Sequence, residues 1–253
     1  MIADRLSKGE KVVGTMLRIL RHTAVIPLAE QAGLDFVMLD MEHGDYSMQT
    51  LADIALAGQL AKFPVFVRVP ELARGYVSRA LDCGVTGVMV PMVETAEQAA
   101  QFVQWAKYPP LGGRGLSSNG GHTGYRRVNA AEAMPRYNRE TLAIAQIETA
   151  AAIDAIDAIA AVPGIDVLLI GPNDLSVSLG CPGRIDSPEE IAAIRKVADA
   201  AKRSGKIFGM HASPAALAPW VGEGMRFFMN DIDTGFLQKA LSTVNAETRK
   251  VFG

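Results

Sequence analysis

Eight repeats of one pattern, a short apolar run followed by a helix-compatible stretch, predict a single (β/α)8 TIM barrel over residues 1–253. Two further observations support it. A chain of 253 residues has the usual size of such a barrel, and no linker interrupts the alternation. An open doubly wound sheet is the competing architecture, and eight units suit closure better.

The strand candidates are Val12–Leu20, Asp35–Glu42, Pro64–Pro70, Gly87–Val93, Leu142–Thr149, Val167–Asp174, Lys206–Ser213 and Phe227–Asp233. Each is rich in Val, Ile, Leu, Met or Phe, as befits a parallel sheet buried on both faces. Between them, Ser47–Lys62, Ala96–Lys107, Ala150–Ala161 and Pro188–Ser204 are dominated by strong helix formers. Ser47, Thr95 and Ser187 stand where N-caps belong, and Ser187-Pro188-Glu189-Glu190 combines a cap, a proline at the first helical position and a glutamate at the third. Segment 108–140, containing PPLGGRGLSSNGGHTGYRR, is a long connection before the fifth strand and reads as a lid or binding loop, or as an unstructured insertion. Gly235–Phe252 is an amphipathic helix that closes the barrel or packs on a neighbour.

Composition excludes several classes. Hydrophobic residues make up 49% and charged residues 21%, an ordinary globular balance. The net charge of −2 gives no broad footprint for nucleic acid or an anionic membrane. No apolar run approaches the roughly 20 residues of a membrane span, and MIADRLSKGEKVVG has no signal-peptide core. Cys83 and Cys181 lie far apart and read as free thiols of a cytoplasmic protein.

The polar residues fall unevenly. Barrels confine chemistry to the C-terminal ends of their strands. Here those ends carry Arg18 and Arg21; Asp40, Glu42 and His43; Arg68; Gln146 and Glu148; Asn173 and Asp174; His211; and Asp231 and Asp233, whereas the strand starts hold few ionisable groups. In Gln146-Ile147-Glu148, alternation sends the polar pair into the barrel and Ile147 toward the helices. A carboxylate in that position is a buried ion pair, a metal ligand or an acid/base. Asp174 leaves its strand through Gly171-Pro172; it is a helix cap or, with Glu148, an oxygen ligand for a hard divalent cation such as Mg²⁺ or Mn²⁺. His43 is a surface histidine or a general base, with Asp40 and Glu42 beside it. Arg68, in an apolar strand, needs an anionic partner: Asp40, Glu42 or a substrate oxyanion. No zinc motif, phosphate loop or nucleophile elbow is present, and no lysine sits where a Schiff base would form.

Taken together these residues resemble the HpcH/HpaI family of divalent-metal-dependent, pyruvate-type aldolases. The matching pieces are Ala32-Gly33-Leu34-Asp35-Phe36, Leu39-Asp40-Met41-Glu42-His43, Val67-Arg68-Val69, Leu81-Asp82-Cys83-Gly84, Val90-Pro91-Met92-Val93, Lys107-Tyr108-Pro109-Pro110 with Gly113-Arg114-Gly115, Gln146-Ile147-Glu148-Thr149 and Ile170-Gly171-Pro172-Asn173-Asp174-Leu175-Ser176. They run in family order over most of the chain. The resemblance implies a barrel that cleaves a 4-hydroxy-2-oxo acid reversibly to pyruvate, or a related 2-oxo acid, and an aldehyde through a metal-stabilised enolate. It implies Glu148 and Asp174 as ligands of Mg²⁺ or Mn²⁺, with Co²⁺ a third candidate. It implies His43 as proton acceptor, Arg68 as oxyanion stabiliser, Asp82 as the carboxylate that raises the basicity of the histidine, and Gln146 and Asn173 as substrate contacts. It implies a homo-oligomer, a hexamer in many members, with exchanged C-terminal helices.

Asp82 ends a helix, near the barrel face opposite His43, so either it reaches the histidine of another subunit or Asp40 does the orienting. Asn173 stands where a small residue is common, Met16-Leu17-Arg18-Ile19-Leu20-Arg21 replaces a more apolar stretch, and Gly120–Arg126 is unfamiliar. These departures concern the aldehyde side, where Arg18 is the expected substrate contact. The competing functions are a citrate-synthase-like condensing enzyme and a non-catalytic metabolite-binding barrel.

Overall fold

A computed structural model describes residues 1–252. Its strands are β1 (Val12–Leu17), β2 (Phe36–Asp40), β3 (Val65–Arg68), β4 (Gly87–Val90), β5 (Leu142–Ile147), β6 (Val167–Ile170), β7 (Ile207–His211) and β8 (Met225–Ile232). They close in sequence order, every neighbour parallel and β8 pairing with β1. The (β/α)8 TIM barrel expected from the repeats is the fold. Most strands stop short of the expected ends because their last polar residues belong to the loops at the mouth. β8 starts at Met225 rather than Phe227.

Two apolar layers follow from strand alternation. Met16, Phe36, Met38, Phe66, Met89, Ile144, Leu169 and Phe227 fill the interior of the barrel. Phe36 lies 5.3 Å from Phe66 and 4.5 Å from Phe227 between ring centroids, a compact aromatic cluster that leaves no axial channel at that level. Residues of opposite parity, such as Val37, Leu39, Val67, Val88, Ile147 and Ile170, pack against the helices. Ile147 therefore faces outward as alternation requires. A short helix, Ile2–Ser7, buries Ile2 and Leu6 against the interior cluster and stoppers the N-terminal end of the barrel.

The caps behave as their residue types dictate. Ser47, Thr95 and Ser187 accept hydrogen bonds from the amides of Thr50, Gln98 and Glu190. Ala150–Ala161 forms two short helices, Ala150–Asp154 and Ile156–Ala161, rather than one. The expected lid needs correction. Within 108–140, Ala130–Glu140 is a helix despite Pro135, capped by the Asn129 side chain. The rest of the segment runs beneath the barrel, not over its mouth. Arg114 Nη2 is 2.6 Å from Asp82 Oδ1, His122 packs edge-on against Tyr137, and the buried Lys107 ammonium pairs with Asp166 at 2.7 Å. Each of these contacts lies where helices end and strands begin. The final helix, Asp233–Arg249, buries only its first residue and leaves Leu241 and Val244 exposed.

Glu190, in the first turn of the helix Pro188–Arg203, is fully buried, and neither of its carboxyl oxygens has a hydrogen-bond partner among the described residues. Burial pushes its pKa from 4.5 up to about 7. The fold therefore favours the protonated acid, and stability declines as pH rises from the unfolded value through about 7. Glu190→Gln should raise Tm at pH 8 and lose most of that advantage at pH 5, measured by thermal unfolding at both pH values.

Candidate active site

Registry brings the first pair together. Asp40, the last residue of β2, lies directly beside Arg68, the last residue of β3, so both side chains leave the sheet on the same face. The fully buried Asp40 carboxylate accepts from Arg68 Nε at 2.9 Å and Nη2 at 2.7 Å, and from Arg18 Nε at 2.8 Å. It also accepts from the amides of Glu42 and His43 at 3.1 and 3.3 Å. Burial disfavours its charge, yet the hydrogen bonds and charge of Arg68, with Arg18 behind them, hold its pKa below the usual carboxylate range. Arg68 Nη1 lies 2.8 Å from Glu42 Oε2 as an ion pair without hydrogen-bond alignment. Burial pushes Glu42 upward against the pull of Arg68.

The second cluster comes from the next two units. Gln146 and Glu148, at the end of β5, are both buried and face the barrel axis. Glu148 Oε1 accepts from the Met92 amide at 2.8 Å, and Oε2 accepts from Gln146 Nε2. Met92 takes a left-handed conformation, φ 54°, as the chain turns out of β4. Burial, joined by the charges of Glu42 and Asp174, raises Glu148 to about 7 against the opposing Met92 amide and Arg68. Gly171, after β6, makes room for this pair: a Cβ there would stand 2.5 Å from Glu148 Oε2 and 2.7 Å from Gln146 Nε2. Gln146 Oε1 is buried without a partner.

A cavity of about 310 Å³ opens between these clusters, lined by Arg18, His43, Arg68, Gln146, Asn173 and Asp174 among others. A larger cavity, about 400 Å³, lies at the other end of the barrel beside Ile2, Val65 and Thr86. It is remote from the carboxylates of the mouth, and the 310 Å³ cavity is the candidate site. His43 is half exposed, with Nε2 3.9 Å from Glu42 Oε2. Asp40 holds the histidine through its main chain, not its ring. Asp82 stands apart. It is paired with Arg114 and lies 3.9 Å from His122 Nδ1 on the opposite face, so within one chain it does not reach His43.

Three contributors to the mouth lay outside the expected residue set. His211, at the end of β7, lines the cavity and hydrogen-bonds through Nε2 to the Asp231 carbonyl at 3.0 Å; burial lowers its pKa. Asp233 is fully buried and accepts from the amides of Arg18, Ile19 and Leu20 at 3.0, 2.8 and 2.8 Å. Both were visible in sequence as polar residues at strand ends. The Met92 amide was not, because no side chain advertises it.

The donor set at β5 and β6 suits a hard cation. Its groups are oxygens: the buried Glu148 carboxylate feels the negative charge of the exposed Asp174, and Gly171 leaves the volume beside Glu148 free. Among the described residues, no three His, Cys, Asp or Glu side chains group as metal ligands. Mg²⁺ and Mn²⁺ typically need only one or two protein carboxylates, with water and substrate completing the sphere.

The model of the HpcH/HpaI aldolase/citrate lyase family matches residues 18–240. A 4-hydroxy-4-methyl-2-oxoglutarate aldolase from Chaetomium globosum is 37% identical over 210 residues, 82% of this chain and 76% of the relative. A 2-keto-3-deoxy-L-rhamnonate aldolase from Escherichia coli is 31% identical over 245 residues, 94% of this chain and 89% of the relative. Among solved structures, an HpcH/HpaI aldolase from Desulfitobacterium hafniense superposes with a TM-score of 0.93 at 35% identity, covering 99% of this chain and 96% of the other. The citrate synthase SbnG gives a TM-score of 0.88 at 28% identity, covering 98% and 97%.

Proposed function

The chain belongs to the HpcH/HpaI aldolase/citrate lyase family, and from that premise we propose the assignment its mouth supports: a carbon–carbon lyase that reversibly cleaves a 4-hydroxy-2-oxo acid to pyruvate, or a related 2-oxo acid, and an aldehyde. The observation that carries this reading is the buried Glu148 carboxylate, close enough to feel the charges of Asp174 and Arg68, beside the cavity that Asp174 and Arg68 line. Glu148 and Asp174 would hold a divalent cation, Mg²⁺ or Mn²⁺ first and Co²⁺ as a third candidate. When bound, the ion supplies Lewis acidity to the carbonyl of the 2-oxo acid.

The rest of the work falls to the chain's own groups. In the cleavage direction His43 takes the proton of the 4-hydroxyl group, directly or through water, as the C3–C4 bond breaks. The bonding electrons pass toward the 2-oxo oxygen. Arg68 is held by Asp40 and Glu42, so its positive charge is in place before that oxygen becomes negative. Gln146 fixes one Glu148 oxygen through Nε2 and keeps Oε1 free to meet substrate. Asn173 lines the same cavity as a further substrate contact. Glu42 and Asp40 act as supports rather than as proton carriers. The citrate-synthase-like alternative shares this machinery and differs in the second reactant. A non-catalytic binding role gives no reason to keep a base and a guanidinium beside paired carboxylates.

A homo-oligomer accounts for the last helix. Leu241, Val244, Val251 and Phe252 are left exposed by their own barrel, and exchange with a neighbour would cover them. Asp82 reaches a His43 only if a second copy brings the two faces together. No helix among the described residues is long and apolar enough to cross a membrane, and two free cysteines suit a reducing cytoplasm.

These assignments predict four results. Protein stripped by chelation should lose exchange of the methyl protons of pyruvate and regain it with Mg²⁺ or Mn²⁺, and calorimetry should show Gly171→Ala binding Mn²⁺ about 10- to 100-fold more weakly; full exchange without any divalent ion refutes the mechanism. Arg68→Ala should lower turnover about 10²- to 10³-fold with the circular dichroism spectrum retained, and near-normal turnover removes it from the reaction. Light scattering should give a multiple of the 27.0 kDa chain mass; a monomer refutes helix exchange.

A further inference from the structure

We propose that His211 is the proton carrier at C3 of the bound 2-oxo acid: it takes a proton from C3 in the condensation direction and returns one after cleavage. The assignment rests on the aldolase reading and names a further catalytic residue within it. Cleavage moves one hydrogen from the 4-hydroxyl of the substrate to the methyl group of pyruvate. His43 receives the first proton, and the second needs a donor of its own. The cavity offers few. Glu148 and Asp174 are assigned to the cation, Arg18 and Arg68 hold protons that they do not give up, and Gln146 and Asn173 are amides. Asp40 is spent on two guanidinium groups. His211 is the titratable group of the cavity lining that remains.

Its place in the sheet suits the task. Ile147, Ile170 and Met210 lie side by side in β5, β6 and β7, and all three pack outward. The next residues, Glu148, Gly171 and His211, therefore share one rung and face the axis. Gly171 contributes no side chain to the interval between Glu148 and His211. Across the ring of eight strands, β7 lies diametrically opposite β3, which carries Arg68. A 2-oxo carbon has three substituents. With its oxygen toward Arg68 and its carboxylate on the β5–β6 side, the third, C3, points into the arc that His211 occupies.

The ring is also held in one state. A carbonyl only accepts, so the 3.0 Å contact with Asp231 makes Nε2 the donor. Asp231 is itself fixed. Its φ of 59° is left-handed, and its carboxylate takes the Ile232 amide at 2.9 Å and Lys239 Nζ at 2.6 Å. Thr15 Oγ1 donates to the same carbonyl at 3.2 Å. Among the described residues nothing bonds Nδ1. Burial lowers the pKa of the ring, and the charges of Arg68 and Arg18 add to that effect against the Asp231 carbonyl and Asp40. Nδ1 therefore carries a free lone pair, the form a base needs. In condensation the C3–H bond breaks and its proton goes to Nδ1. Its electrons form the C2–C3 double bond as the 2-oxo oxygen gains negative charge beside Arg68. After cleavage the same transfer runs backwards. One proton leaves the hydroxyl at His43 and one reaches C3 from His211, so exchange of one proton each with water resets both rings.

Pyruvate alone isolates this step, because it has no 4-hydroxyl. Exchange of its methyl protons with D₂O, followed by proton NMR on the Mg²⁺-supplemented enzyme, should fall about 10²-fold or more in His211→Gln, whose amide keeps a donor for the Asp231 carbonyl. Mn²⁺ affinity by calorimetry and the circular dichroism spectrum should stay as in wild type. In His211→Ala, ~50 mM imidazole should restore exchange about tenfold or more, since a free base can enter the vacated space. A merely structural histidine is not rescued in this way. Solid-state NMR of protein labelled with ¹⁵N-histidine should show, as the difference between wild type and His211→Gln at pH 7.5, one protonated and one unprotonated ring nitrogen. Undiminished exchange in His211→Gln, a loss in His211→Ala that imidazole does not repair, or two protonated nitrogens on His211 overturns the proposal, while chelator-sensitive exchange in wild type still supports the aldolase reading. Absence of exchange in wild type overturns the two together.

Discussion

A fully buried carboxylate is tolerable only when its charge is answered, and Asp40 is answered by two guanidinium groups and two main-chain amides. The geometry of the mouth follows from that requirement. Arg68 is drawn onto a buried anion that its own strand cannot supply. Arg18 is pulled inward from β1, and the turn carrying Glu42 and His43 is folded back over the carboxylate. Removing Asp40 would leave two cations facing a cavity that already contains the tools for handling negative charge. Asp40 thereby sets the position of Arg68, of Arg18 and of the turn that carries His43.

The mouth is thus organised as two halves of opposite preference. The β1–β3 side concentrates positive charge that is already partnered. The β5–β6 side concentrates negative charge that is not, and Glu148 shows the strain by holding its proton toward neutral pH. A divalent ion held by Glu148 and Asp174, as proposed, would resolve the second half. Neither half alone makes a catalyst, since a cation cluster would merely bind anions and a carboxylate pair would merely bind metals. The barrel brings them together because every strand delivers its last residues to the same end.

Much of this was legible in the residues. Near-continuous apolar runs such as Val65-Phe66-Val67 mark strands buried on both faces, and a charge such as Arg68 breaking such a run marks the mouth. The alternation in Gln146-Ile147-Glu148 assigns inside and outside correctly. Other features were hidden for identifiable reasons. Pro135 and the glycines before it disguised the helix Ala130–Glu140, whose cap at Asn129 was a weak signal. The path of residues 108–129 under the barrel depends on tertiary partners, chiefly Arg114 with Asp82, that no local pattern specifies. The amide of Met92 and the empty volume at Gly171 belong to the backbone, where composition is silent. Asp82 and His43 look like partners by family order, and the chain nevertheless places them on opposite faces.

Asp233 has a consequence for the order in which the protein can be built. The loop after β1 emerges early in synthesis, yet the carboxylate that ties down its amides follows β8. Until β8 has been made, that loop has no anchor and β1 has no second neighbour. The first segment of the cavity wall to be translated is therefore the last to set, and a nascent chain lacking its final strand holds most of the residues of the mouth without a finished pocket.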